Sequence, residues 1–192
     1  MENSHPVILI HGLWNTAYSM EWLASFLEKK GFSVINYQFS PNDGSVFLHT
    51  LAQSLKDFIE EKGITKCDIV GYSMGGMIAQ LYIQEYEGYK KVKKCVTISS
   101  PHKGTLDAYF LFGKGSRELQ PSSDFIKKLK SQSTERKAVQ WLSIRTPLDL
   151  MVIPSTSSRI DFGDNKIAFV PFHHLMITNK KVAEYVYRFL KE

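Results

Sequence analysis

Short, continuous apolar runs alternate with segments of helical period along most of this chain. The first run, Val7 to Ile10, ends at His11-Gly12, and others follow at Ser33 to Tyr37, Cys67 to Val70, Cys95 to Ile98, Trp141 to Ile144 and Ile167 to Val170. Such runs suit strands covered on both faces better than strands with one wet face. Between them, Trp22, Leu23, Phe26 and Leu27 form a helical stripe that stops at Gly31, and Leu51, Leu55, Phe58 and Ile59 form another that stops at Gly63. Met77, Ile78, Leu81 and Tyr82 repeat the pattern, and Val182, Tyr185, Val186, Phe189 and Leu190 close the chain with it. Glycine just past such a stripe is a common helix stop, because it takes the left-handed conformation without steric cost.

Strands alternating with helices imply right-handed crossovers, so the pattern predicts a six-stranded, mostly parallel α/β sheet with helices on both faces. Ligands bind such sheets at the carboxyl ends of the strands, and the residues just after each run therefore carry the search for chemistry. At 192 residues, with no repeat or linker, the chain reads as a single domain. One long departure, Thr105 to Lys137, carries the aromatic cluster Tyr109-Phe110-Leu111-Phe112 and a helix around Asp124 to Leu129. It is long enough to form a cap or a pocket-lining insertion.

The formal charge of +5 comes in scattered lysine pairs, at 29–30, 90–91, 93–94, 127–128 and 180–181. Dispersed cations do not make the concentrated basic face that nucleic acid needs, and leave room only for weak attraction to an anionic membrane surface. Cys67 and Cys95 lie beside or within apolar runs and read as buried free thiols. The N-terminal stretch has neither the basic region nor the long apolar core of a signal peptide, and no run is long enough to span a bilayer, so the expected location is cytoplasmic.

Gly71-Tyr72-Ser73-Met74-Gly75 has the GxSxG pattern, with a strand before it and a helix after it. That context demands a sharp turn that lifts the Ser73 hydroxyl clear of the sheet, with glycines where a side chain would meet a neighbouring element. The first amides of the following helix point toward the same spot. A serine hydroxyl is a weak nucleophile at neutral pH, so the turn calls for a histidine base and a carboxylate later in the chain. Asp149 follows the Trp141 to Ile144 run, with Asp161 and Asp164 as rivals in turn-forming sequence. His173 and His174 follow the last run, and only one of these neighbours can point into a site. His11-Gly12-Leu13-Trp14 follows the first run and offers a backbone amide for an oxyanion, from Leu13 with Trp14 as fallback, to pair with that of Met74. His11 and His102 read as structural, and the six histidines show no metal-ligand spacing. No metal or cofactor is called for.

Taken together and in order, HGLW, GYSMGG, SSPHKGT, TPLDLMVIP and FHHLMITNKKV resemble the small bacterial lipases and esterases of the α/β-hydrolase superfamily, over nearly the whole chain from Pro6 to Leu190. The resemblance implies a minimal, six-stranded version of that fold and selects Asp149, in Asp149-Leu150-Met151-Val152, as the acid. It also selects His173 as the base, because Met176, Ile177 and Val182 then fall at the family's third, fourth and ninth following positions. Phe172 stands where the family commonly has a small residue. The expected activity is that of a serine carboxylic ester hydrolase of the esterase or lipase type, acting on an acyl ester or lipid through Ser73, His173 and Asp149. Trp14, Tyr72, Tyr109, Phe110, Phe112 and Phe172 are the pocket candidates. A thioesterase, amidase or acyltransferase would use the same residues, and a non-catalytic binding protein on the same fold is the alternative from another class.

Overall fold

The computed structural model describes residues 5–131 and 134–192. Six strands form one sheet: β1 (Val7–Ile10), β2 (Val34–Tyr37), β3 (Cys67–Tyr72), β4 (Val92–Ile98), β5 (Gln140–Arg145) and β6 (Asp164–Ile167). All five pairings are parallel and the spatial order is β2-β1-β3-β4-β5-β6. Chain order reverses direction around β1, so the loops leaving β1 and β3 emerge side by side at the carboxyl edge.

Strand periodicity divides the core. Ile8, Ile10 and Ile69 point to the face covered by α2 (Leu48–Glu61) and α3 (Met74–Glu85), where Leu51, Leu55, Ile59, Met77 and Ile78 meet them. Val7, Leu9, Val70, Val96, Leu142 and Ile144 point to the other face, covered by α1 (Glu21–Glu28) and α6 (Lys180–Lys191) through Leu23, Leu27, Val182, Val186 and Leu190. Every residue of β1 and β3 is buried, as expected for strands with helices on both sides. Trp22 alone of the α1 stripe turns outward, at 40% exposed. Cys67 and Cys95 are buried and free.

The last strand differs from the sequence expectation. It runs from Asp164 to Ile167 and not from Ile167 to Val170, and all four of its residues are exposed. It is an edge strand with a single partner, so hydrogen bonding to β5 rather than burial defines it. The apolar residues that follow, Ala168 and Val170, are buried as the chain leaves the sheet, their N–H groups held by Arg145 O at 3.0 Å and Thr146 Oγ1 at 3.2 Å.

The segment after β4 folds into short pieces, including α4 (Lys114–Glu118) and α5 (Asp124–Ser131). It is tied to the loop after β5 by Thr105, whose hydroxyl donates to Met151 O (3.2 Å) and accepts from the Ile153 N–H (2.9 Å). Among the described residues no helix is long and apolar enough to cross a membrane.

Candidate active site

Ser73 sits between β3 and α3 at φ 53°, ψ −121°, a conformation that L residues rarely adopt and that persists only where the surroundings hold it. Its N–H donates to Ile98 O at 2.8 Å, which pins the turn to the end of β4. The flanking glycines leave no room for a side chain: a Cβ on Gly71 would stand 2.5 Å from Gly76 Cα, and one on Gly75 would stand 2.3 Å from His11 O. Ser73 makes no side-chain cap on α3, so the hydroxyl is free for other work.

His173 follows β6 and lines the cavity that Ser73 borders, and Asp149 follows β5 and lies behind His173. His173 Nδ1 lies 2.9 and 2.8 Å from the two carboxylate oxygens of Asp149. A carboxylate can only accept, so Nδ1 carries the proton and Nε2 is left with its lone pair. Asp149 is buried, and its Oδ1 also accepts the N–H groups of Met151 and Val152, both at 3.0 Å. Burial pushes its pKa up. The hydrogen bond and charge of His173, the Met151 N–H and the adjacent Ser99 hydroxyl pull it further down, so the group is held below the usual carboxylate range. Thr146 joins the two loops by donating to Val170 O at 2.7 Å. The Tyr72 ring, fully buried, lies 5.0 Å from that of His173 and backs it.

The loop after β1 is held at several points. Trp14 N–H donates to Asn42 O at 2.7 Å, which removes Trp14 as a fallback oxyanion donor. The N–H groups of Leu13 and Met74 have no hydrogen-bond partner among the described residues. His11 is buried and stacked on Phe39 at 4.0 Å; it donates from Nδ1 to Gly12 O at 2.9 Å and accepts at Nε2 from the Phe39 N–H at 3.4 Å. With both nitrogens engaged it supports the loop. His174 is exposed and stacks on Phe172 at the border of the same cavity, while the carboxylate of Asp149 is taken up by His173. Asp161 is exposed beside Lys103, and Asp164 belongs to β6, so neither rival acid reaches His173.

Ser73, His173, Leu13 and Met74 line one cavity of about 340 Å³, together with Trp14, Tyr72 and His174. Four of the six aromatic pocket candidates fall outside it. Phe110 and Phe112 line a neighbouring groove of about 410 Å³ that shares Trp14 and Leu111 with the cavity. Tyr109 turns its hydroxyl to Ser122 Oγ at 3.0 Å, and Phe172 is half exposed on His174. The walls come instead from Pro101, Thr105, Leu111, Leu119, Met151 and Val152. Pro101, Thr105, Met151 and Val152 lie in the stretches SSPHKGT and TPLDLMVIP, whereas Leu111 and Leu119 carry no motif and are placed by where the segment after β4 folds back over the sheet edge.

The chain is similar to a lysosomal thioesterase PPT2 homolog of Drosophila melanogaster, 29% identical over 112 residues that cover 55% of this chain and 38% of that protein. It is also similar to the esterase YbfF of Escherichia coli, 31% identical over 78 residues that cover 38% of this chain and 31% of that protein. The chain thus spans about a third of the length of the curated relatives it matches. Among solved structures, the product of the lin2722 gene of Listeria innocua superposes with a TM-score of 0.77 at 21% identity, over 99% of this chain and 95% of that one. The family model of the alpha/beta hydrolase fold matches residues 5–120, from ahead of β1 through the Ser73 turn into the segment after β4, and the chain belongs to that family.

Proposed function

We propose that this protein is a serine acyl hydrolase that cleaves carboxylic esters through an acyl-enzyme. The carrying observation is that Ser73, on its strained turn, shares one cavity with a histidine whose Nδ1–H is held by a buried carboxylate. In this reading Ser73 Oγ attacks the ester carbonyl while His173 Nε2 takes its proton. The N–H groups of Leu13 and Met74 receive the oxyanion of the tetrahedral intermediate. Its collapse breaks the acyl–oxygen bond, and His173 returns the proton to the departing alcohol. Water, deprotonated by His173, then attacks the acyl-enzyme; the second collapse expels Ser73 Oγ, which recovers the proton, and frees the acid. Asp149 holds the imidazole tautomer throughout.

The cavity is at the small end of ligand sites, which span about 300–1,000 Å³, and its walls are mainly apolar, which favours an acyl chain of short to medium length. Likeness to a protein named a thioesterase supports a second reading, in which the leaving group is a thiol and the remaining steps are unchanged. The exposed side chains of Phe110, Phe112 and Trp14, which line the cavity or the groove that joins it, suit contact with a lipid surface that presents such substrates. A fluorophosphonate probe should label the wild type and not Ser73→Ala, and only the wild type should turn over p-nitrophenyl esters, acyl thioesters or emulsified triglyceride. Equal labelling of the two proteins would overturn the proposal, and relative rates across the panel rank the leaving groups and chain lengths.

A further inference from the structure

A second cavity, of about 360 Å³, opens beside the catalytic one on the far side of the loop after β4. Pro101 and Thr105 of that loop line the catalytic cavity, while His102 and Lys103 line this one. Five cations border it, Lys103, Lys130, Arg136, Lys137 and Arg159, against the single carboxylate of Asp161, which lies 3.4 Å from Lys103. None of the five belongs to the lysine pairs conspicuous in the sequence. Four separate stretches of chain bring them together.

Two buried polar side chains in the wall distinguish this cavity from a patch of surface lysines. Arg136 is only 8% exposed; it stacks on Phe162 at 4.4 Å and donates to the carbonyls of Leu129 and Lys130, and among the described residues it has no ion-pair partner. Gln80 is 2% exposed. Its Oε1 lies 2.6 Å from His102 Nδ1, and its amide nitrogen has no hydrogen-bond partner among the described residues. His102 supplies no competing acceptor, since Nδ1–H donates to Gln80 and Nε2 accepts from the Thr97 hydroxyl at 2.9 Å. A concave site with an open buried donor and a lining of five cations against one carboxylate matches a compact, multiply charged acceptor. We propose that this cavity binds a phosphate-type anion, either free or carried on the leaving group of the acyl substrate.

The test is calorimetric titration with pyrophosphate at constant ionic strength, with chloride as control. Wild-type protein should bind one equivalent saturably. The variant Lys137→Gln/Arg159→Gln, altered only at exposed positions, should bind at least tenfold more weakly. Gln80→Glu, which keeps the acceptor for His102 and replaces the free donor by a negative charge, should abolish binding. Absence of saturable binding to the wild type, or equal affinity in the surface double variant, overturns the proposal even if Gln80→Glu fails to fold. Kinetics separate the two sources. Pyrophosphate that competes with an ester bearing phosphate on its leaving group, and not with a neutral ester, marks part of a substrate site; pyrophosphate that competes with neither marks a site for a free anion. Binding is read without turnover, so failure of the hydrolase reading would not touch this result.

Discussion

Asp149 accepts from three N–H groups with two oxygens, and the division of labour between them makes it informative to change. Asparagine would keep Oδ1 for Met151 and Val152 and so preserve the loop, but its amide would donate toward His173 and select the tautomer with the proton on Nε2. In the proposed mechanism that histidine cannot accept from Ser73. Asp149→Asn should therefore lower kcat on a p-nitrophenyl ester by about 10³–10⁴-fold, with a urea midpoint close to that of the wild type. His102 makes a different contribution. Burial, with Lys103 and Arg136 nearby, drives its pKa from 6.5 down to about 3, so the folded protein holds it neutral. Between those values the unfolded chain binds the extra proton, and stability falls as pH drops, by about 1.4 kcal/mol per pH unit below 6.5. From pH 7.5 to pH 5 the wild type should lose about 2 kcal/mol more than His102→Gln in urea unfolding.

The turn from β3 into α3 places the proposed nucleophile only because Gly71 lets the first turn of α3 lie against β3 and Gly75 lets it lie against the backbone at the end of β1. A Cβ on Gly75 would press on His11 O at 2.3 Å and Ile10 O at 2.4 Å, both backbone atoms of a fully covered strand end and neither able to give way. Gly75→Ala should cost at least about 3 kcal/mol, above the usual range for an added core methyl, and should remove fluorophosphonate labelling even at temperatures where the variant is folded. Thermal unfolding followed by circular dichroism, with labelling alongside, checks both. This element was legible in sequence because the pattern itself encodes the steric demand, and the covered strands β1 and β3 were legible because burial on both faces leaves no polar position. The edge strand β6 was displaced by three residues, since hydrogen bonding alone defines it. His173 and His174 could not be told apart by position. The fold separates them, burying His173 on Asp149 and leaving His174 exposed at the cavity border against Phe172. Trp14 and Tyr72, both pocket candidates from the sequence, do line the cavity, but Leu111, Leu119 and the five clustered cations were invisible for a common reason: residues distant in sequence converge there with no local periodicity to mark them.

At the scale of the molecule, both cavities and an apolar rim flank the loop after β4. Phe110 and Phe112 are 82% and 92% exposed, and they line the groove that shares Trp14 and Leu111 with the Ser73 cavity, so their surface leads directly to Ser73. Large aromatic side chains left in water are costly, and each would gain about 1.5–3 kcal/mol on full burial in an apolar phase. The net charge of +5 adds attraction to anionic headgroups, which weakens with salt. Under the proposed lipid-surface reading, Phe110→Ser/Phe112→Ser should weaken partitioning to vesicles containing anionic lipid by about tenfold or more and slow hydrolysis of a vesicle-borne ester to match. Hydrolysis of a short, water-soluble ester should stay within about twofold of the wild type, because neither phenylalanine touches the cavity that holds Ser73 and His173. Vesicle sedimentation together with the two rates decides the matter: parallel loss on both esters would make the rim a structural part of the pocket, and unchanged partitioning would leave the enzyme to act on dissolved substrate.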